Sequence, residues 1–378
     1  MNEPCPQPWH TPSLQTAAVY RARVRGCLLG GALGDALGYQ VEFSSLDRIR
    51  AAHGPRGVTG LGPGPHGSAV GLISDDTQMT LFTAEALIQA HAQEREKGVG
   101  GAWPELLRQA YERWLQTQER PAPAQSGPQS SASPYGAPDR PGAPAGGLVT
   151  EAWLYSRRAP GNACLSGVAQ RYAPAPGLPL DGSPGEVNPD SKGCGTVMRS
   201  APFGLAAPAD AAFAMAARGA QITHGHPTGY YAAGAFAAIV AHLVAGDSLE
   251  GAVLRTLRLL ERHHGHAETS AALRAALDLA AGGTPTAEKV ESLGAGWVAE
   301  EALAIAVYCA LAEPRPEPSL LLAVNHSGDS DSTGSICGNL LGTLYGDTGL
   351  PHAWVARVEG RATIAALADD LAAECARS

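Results

Sequence analysis

The sequence predicts an all-α protein. Three observations carry that reading: apolar residues recur at three- and four-residue steps along most of the chain, strictly alternating patterns are almost absent, and Gly and Pro punctuate the periodic stretches. A first helix is expected at about 17–33. DDTQMTLFTAEALIQAHAQ predicts a second over 75–93, and WPELLRQAYERWLQTQ a third over 103–118. Further helices are expected at about 194–206, 209–222, 226–246, 247–263 and 267–281. GWVAEEALAIAVYCALAE predicts one over 296–313, and two more close the chain at 332–345 and 359–376. The most apolar stretch, YYAAGAFAAIVAHLVAG (230–246), carries His242 and falls short of the roughly 20 residues of a membrane span. It reads as a buried helix.

At 378 residues the chain can bury a large core, as one domain or two. Twenty-two of the twenty-seven residues in PAPAQSGPQSSASPYGAPDRPGAPAGG (121–147) are Pro, Ala, Gly or Ser, too little apolar bulk to offset ordering entropy. This segment is expected to be a mobile insertion in a single domain spanning 19–378, after a flexible tail at 1–18. The net charge of −9, with no long Lys/Arg cluster, argues against a nucleic-acid surface. MNEPCPQPWHTPSLQ has neither the basic start nor the apolar run of a signal peptide, so no membrane association is expected. Seven scattered cysteines without a C-x-x-C pair indicate neither a disulfide framework nor a zinc site, and a reducing cytoplasm is the expected compartment. The HHGH run at 263–266 reads as a solvated helix end.

The chemistry is concentrated in two short stretches. In NHSGDSDSTGS (325–335), Asp329, Ser330, Asp331, Ser332 and Thr333 are all oxygen donors just before an apolar helix. Such residues cap helices, but they are also the ligands of a hard cation such as Mg²⁺ or Ca²⁺. The calcium-loop pattern fails here, because its closing Glu would fall on Leu340. Any remaining ligands must come from elsewhere in the chain. A second cluster, SDDTQ (74–78), again sets a hydroxyl and two adjacent carboxylates at a helix start. Adjacent acids repel, and one suffices for a cap. Asp75, Asp76, Asp329 and Asp331 brought together would be neutralised by two divalent ions, and their separation would tie both ends of the chain to one core. The Gly/Ala-rich segment before Glu42 would let helices approach closely.

Six blocks in order resemble the ADP-ribosylglycohydrolase family: GCLLGGALGDALGYQVEF (26–43), SDDTQMTLFTAEAL, SKGCGTVMRSAPFGL (191–205), THGHPTGYYAAGA (223–235), GWVAEEALAIAVYCAL and GDSDSTGSICGNLLG. The resemblance implies a compact, orthogonal multi-helix bundle around a binuclear metal site, holding two Mg²⁺ (or Mn²⁺) ions. The implied metal ligands are Ser74, Asp75, Asp76, Asp329, Asp331 and Ser332, with Ser at two positions where family members often carry Thr. Glu42 matches the family's mobile catalytic glutamate and is the candidate to act as general acid/base or to position the leaving group, with Asp331 and Asp76 as candidates to share the proton work. Ser191, Gly193, Cys194 and Gly195 match a glycine-rich turn beside the nucleotide, where backbone N–H groups and a following helix N-terminus would face a diphosphate. Many relatives have Asn in place of Cys194. His224 matches a histidine near the distal ribose and phosphates.

The implied activity is hydrolysis of the bond between ADP-ribose and a modified acceptor, an arginine on protein first, by a monomer. The expected partner is the substrate's ADP-ribose moiety, on protein or a small molecule. Two alternatives stay open: a binding or structural protein that keeps the fold without hydrolysis, and a hydrolase of serine-linked or small-molecule ADP-ribose.

Overall fold

The computed structural model describes residues 14–62, 70–98, 100–124 and 147–376, and these are helical with no strand among them. Along the chain run α1 (Leu14–Gly38), α2 (Leu46–His53), α3 (Asp75–Lys97), α4 (Trp103–Glu119) and α5 (Asn162–Ala169). Then come α6 (Ala201–Ala206), α7 (Ala209–Ala220), α8 (Pro227–Val244), α9 (Leu249–Leu260), α10 (Ala267–Ala280) and α11 (Ala287–Glu291). The last are α12 (Ala299–Ala312), α13 (Pro316–Val324), α14 (Ser330–Tyr345), α15 (His352–Val355) and α16 (Arg361–Cys375). No helix among the described residues is long and apolar enough to cross a membrane. α8 and α12 are buried on nearly every face, as helices apolar all round must be.

The organising contact is between α1 and α14, the most extensive of any helix pair described. α1 presents Gly26, Gly30, Gly34 and Gly38 at four-residue steps, which fall on one face of a helix. A Cβ on each would stand 2.1, 2.2, 1.8 and 2.1 Å from the carbonyl oxygens of Gly342, Gly338, Gly334 and Ser330 respectively. The descending order of partners makes the helices antiparallel, with backbone against backbone. The other end of α1 is stitched by polar groups. Arg23 donates to the Leu243 and Val244 carbonyls at the end of α8 (2.8 and 2.6 Å), and Tyr20 to the Leu205 carbonyl (2.7 Å).

Several expectations are corrected. The helix expected at 194–206 is broken: Cys194–Thr196 is a single 3-10 turn, and α6 begins only at Ala201, with Pro202 in its first turn. Pro tolerates that position because its missing N–H would be unpaired there anyway. The short helices α2, α5, α11, α13 and α15 have too few turns to show a period, and pattern reading passes over them. The HHGH run is solvated only in part: His264 and Gly265 are exposed, but His263 is half-buried, stacked on Phe213 (4.9 Å between ring centroids) with its Nδ1 3.1 Å from the Leu180 carbonyl. Residues 14–18, read as tail, begin α1, while 1–13 and most of the Pro/Ala/Gly/Ser-rich segment (125–146) lie outside the described residues.

Backbone contact makes a sharp stability test. In Gly338→Ala the new Cβ would lie 1.9 Å from the Gly30 carbonyl oxygen, and no side chain can swing away to admit it. The expected cost is about 3 kcal/mol or more, the upper end for overpacking, despite the ~1 kcal/mol by which Ala is the better helix former. Gly177→Ala, with no atom within 4 Å of its added Cβ, should change stability by no more than about 0.5 kcal/mol. Urea melts measure both, and equal costs would refute the close-packed reading.

Candidate functional site

The antiparallel α1–α14 contact sets the C-terminus of α1 beside the N-terminus of α14, and the N-terminus of α3 joins them. Asp35, on the last turns of α1, is wholly buried and caps α3 from outside. Its carboxylate accepts from Ser74 N (2.9 and 3.0 Å), Thr77 N (3.1 Å) and Thr77 Oγ1 (2.5 Å). α3 therefore starts with three buried acids around its first turn. Asp75 accepts from Gly161 N (3.3 Å), while one oxygen of Asp76, Oδ1, is buried with no hydrogen-bond partner among the described residues.

On α14, Asp329 is the N-cap and accepts from Ser332 N (3.4 Å), and Asp331 accepts from the same N–H (3.0 Å). Gly328 precedes the cap at φ +128°, where a Cβ would meet the Ala295 carbonyl at 2.0 Å, so the turn into α14 requires glycine. Glu42 lies four residues past α1. One oxygen each from Glu42, Asp329 and Asp331 lie within 4.8 Å of one another, a group able to hold a metal ion.

These groups open into one cavity of about 320 Å³. Of the residues singled out from sequence, Glu42, Asp75, Asp76, Ser191, Gly193, Cys194, Gly195, His224, Asp329, Asp331 and Ser332 line it. Ser74 does not. It is buried as the N-cap of α3, with its hydroxyl 3.3 Å from both Asp76 Oδ2 and Asp76 N. Ser330 and Thr333 turn into the core, Thr333 Oγ1 lying 2.8 Å from His326 Nε2. No lysine or arginine among the described residues lines the cavity. Lys192, in the glycine-rich turn, points instead at Glu268 and Glu300.

The electrostatics follow from that charge balance. Burial first, and the Asp331 charge second, push Asp35 up to about 7 and hold Asp75 and Asp76 well above the usual carboxylate range. The same two causes raise Asp329, and together with the Asp329 charge they push Glu42 up to about 10. Buried carboxylates this close do not all ionise unless cations neutralise them. The donor set is all oxygen, Asp76 Oδ1 is unpaired, and the positive ends of α3 and α14 both face the cluster. That chemistry fits hard divalent ions.

The glycine-rich turn departs from expectation in two ways. The Cys194 N–H is spent on the Trp297 carbonyl (3.1 Å), so it is not free for a ligand, and no helix of useful length follows it. The Cys194 side chain is engaged too: its S–H donates to Asp329 Oδ2 at 2.7 Å, and burial and the Asp329 charge keep the thiol protonated.

Residues that sequence reading passed over complete the walls. Ala159–Cys164 approach from the start of α5, and Phe43 and Trp297 stack at the rim, ring centroids 5.2 Å apart. Phe43 is 66% exposed and sits at φ +64°, a conformation strained for an aromatic residue and commonest near functional sites. Asp35 carried a signal, an acid inside a Gly/Ala helix; the loop and rim residues carried none.

Comparison with known proteins agrees with this architecture. The sequence profile of the ADP-ribosylglycohydrolase family matches residues 16–378. The chain is 25% identical to ADP-ribosyl-[dinitrogen reductase] glycohydrolase from Rhodospirillum rubrum over 347 residues, covering 89% of this chain and 90% of that one. It is 27% identical to an uncharacterized protein of Archaeoglobus fulgidus over 353 residues, 92% of this chain and 95% of the other. Among solved structures, an ADP-ribosylglycohydrolase-related protein complex superposes with a TM-score of 0.63 at 24% identity, covering 95% of this chain and 99% of that one, a likeness of fold. With the profile spanning nearly the whole chain and the acidic cavity held between its two ends, the protein belongs to the ADP-ribosylglycohydrolase family.

Proposed function

We propose that the protein is a metal-dependent hydrolase that cleaves the glycosidic bond between ADP-ribose and an arginine side chain of a modified protein. The observation that carries this reading is the convergence of Asp75, Asp76, Asp329, Asp331 and Glu42 on one cavity whose lining, among the described residues, holds no Lys or Arg side chain. Two Mg²⁺ or Mn²⁺ ions would balance the four aspartates. Asp75, Asp76, Asp329, Asp331 and Ser332 are the proposed ligands, with Ser74 holding Asp76 in place from behind. When bound, such ions act as Lewis acids, orient ribose hydroxyls and make water a better nucleophile.

The chain's own residues do the rest. In hydrolysis the water oxygen bonds to the anomeric carbon, the carbon–nitrogen bond to the acceptor breaks, and a proton passes from the water side to the leaving nitrogen. Glu42 would carry that proton: it lines the cavity beside Asp329 and Asp331. Asp331 and Asp76 are the candidates to share the work. Ser191, Gly193, Gly195 and His224, which line the same cavity, would receive the nucleotide. Support for arginine comes from the rim. A planar guanidinium stacks on aromatic faces and is drawn to carboxylates, and Phe43 and Trp297 stand beside Glu42. The Rhodospirillum rubrum relative is named for the ADP-ribosyl group of a protein, dinitrogen reductase.

A hydrolysis assay on defined peptides tests the reading. ADP-ribose should be released from arginine-linked peptide faster than from serine-linked peptide, with loss of activity in EDTA reversed by Mg²⁺ or Mn²⁺. No release from either peptide with metal present would leave a binding protein.

Glu42→Gln keeps the size but cannot exchange a proton. Its turnover should fall at least ~100-fold, within the range for lost acid–base catalysis, while ADP-ribose affinity stays within about tenfold. Asp331→Asn should weaken metal and ADP-ribose binding together, read by calorimetry. Near-normal turnover of the Glu42 variant would remove it from the mechanism.

The raised carboxyl pKa values also predict how the metal-free fold responds to pH. A carboxyl whose folded-state pKa is raised adds stability that is complete below its unfolded value and lost as pH rises towards the folded one. With Asp35 at about 7, the melting temperature in EDTA should fall as pH rises from about 5 to about 7. Mg²⁺ should raise it most at the upper end, because binding to the folded state alone stabilises it. A profile in EDTA that is flat or rising across that window would mean the cluster is not protonated as described.

A further inference from the structure

Arg199 is 1% exposed, and its guanidinium meets no carboxylate among the described residues. It lies 4.6 Å over the Tyr111 ring, reaches Cys164 Sγ and Met79 Sδ with Nη1 (3.4 and 3.8 Å), and donates from Nη2 to Thr223 Oγ1 at 2.6 Å. Burying a cation against neutral partners is costly, and the catalytic reading above makes no use of it.

Its effect passes through Thr223. An arginine can only donate, so Thr223 Oγ1 accepts from it and has a single proton left to give. His224 Nδ1 lies 2.7 Å from that oxygen and the Ala220 carbonyl 3.4 Å, so the shorter, stronger bond goes to the ring. The opposite arrangement would aim two N–H dipoles, from Arg199 and from Nδ1, at one oxygen. With Nδ1 accepting, the proton of the neutral imidazole sits on Nε2. Nε2 faces the glycine-rich turn: a Cβ on Gly193 would stand 3.2 Å from it, and both residues line the cavity. A side chain at 193 would fill the space in front of this donor.

We infer that Arg199 and Thr223 are positioning residues, which lock His224 as a neutral ring with its Nε2–H donating into the cavity to an oxygen that only accepts. A diphosphate oxygen has that chemistry, and a hydroxyl already donating elsewhere is the lesser match. The ligand's identity rests on the reading of the site as an ADP-ribose pocket; the tautomer does not. Burial, helped by the Arg199 charge, lowers His224 to about 3, so the ring stays uncharged near neutral pH. The same charge that sets the hydrogen-bond direction thus also keeps the donor from titrating.

The test reads the tautomer directly. In full-length ¹⁵N-labelled protein, imidazole ¹H–¹⁵N correlation spectra should place the His224 proton on Nε2 near neutral pH. Thr223→Val keeps the shape but removes the relay. It should give a mixed or Nδ1–H ring and weaken ADP-ribose binding about tenfold, the scale of one hydrogen bond to a charged group. Thr223→Ser restores the hydroxyl and should restore both, which a packing role for the threonine would not require. A proton on Nδ1 in the unmodified protein or in the Ser variant would overturn the proposal, and so would an unchanged tautomer and affinity in the Val variant. Should the Val variant not fold, the other two spectra still decide. Absence of ADP-ribose binding by the unmodified protein would strike the glycohydrolase reading and leave the tautomer result standing on its own.

Discussion

Everything at the site depends on two helices touching through their backbones. α1 and α14 approach until carbonyl oxygens occupy the places where Cβ atoms would be, at four successive positions. Because the helices are antiparallel, this contact fixes which ends meet: the C-terminus of α1, with Asp35 and then Glu42, beside the N-terminus of α14, with Asp329 and Asp331. A larger residue at any of the four positions would separate the ends as well as loosen the core. Packing density here is a condition for bringing the acids together.

Those acids oppose the fold that assembles them. Burial and mutual repulsion raise the pKa values of Asp35, Asp75, Asp76 and Asp329, so the carboxylates would sooner hold protons than share the cavity as anions. The chain limits the penalty with what is at hand. Asp35 receives three donors from the start of α3, Asp329 and Asp331 share the Ser332 N–H, Cys194 gives its S–H to Asp329, and two helix N-termini face the cluster. One Asp76 oxygen is left without a partner. On the proposed function cations would complete this centre, so its stability and its activity would draw on the same groups.

The cavity lining divides into two sets of groups, which meet where Cys194 gives its S–H to Asp329. One set is acidic, with the all-oxygen chemistry that fits hard divalent ions. The other is neutral: glycines, a protonated thiol and a histidine kept uncharged by burial and by the Arg199 cation behind it. On the proposed function, such a neutral donor set would accept phosphate oxygens without forming a strong ion pair that would hold the product.

The sequence by itself determined the helical class, most of the long helices and nearly every acid of the site. Those features are local: a 3.6-residue period, a capping residue and two short acidic clusters can each be read within a few residues. It also carried the glycine and alanine density of the first helix, though not the partner that density serves. Only the tertiary structure decided that Gly26, Gly30, Gly34 and Gly38 face α14, because contact between residues some three hundred positions apart leaves no local period. The same holds for Asp35 as the cap of a helix it does not belong to, for Ser74 turned behind Asp76, and for the break of the helix expected at 194–206. Phe43, Trp297 and the Arg199–Thr223–His224 relay sit on loops and short turns, where neighbours are set by how the helices stack. Periodicity reports which face of a helix is apolar; which atoms meet across that face is decided by packing.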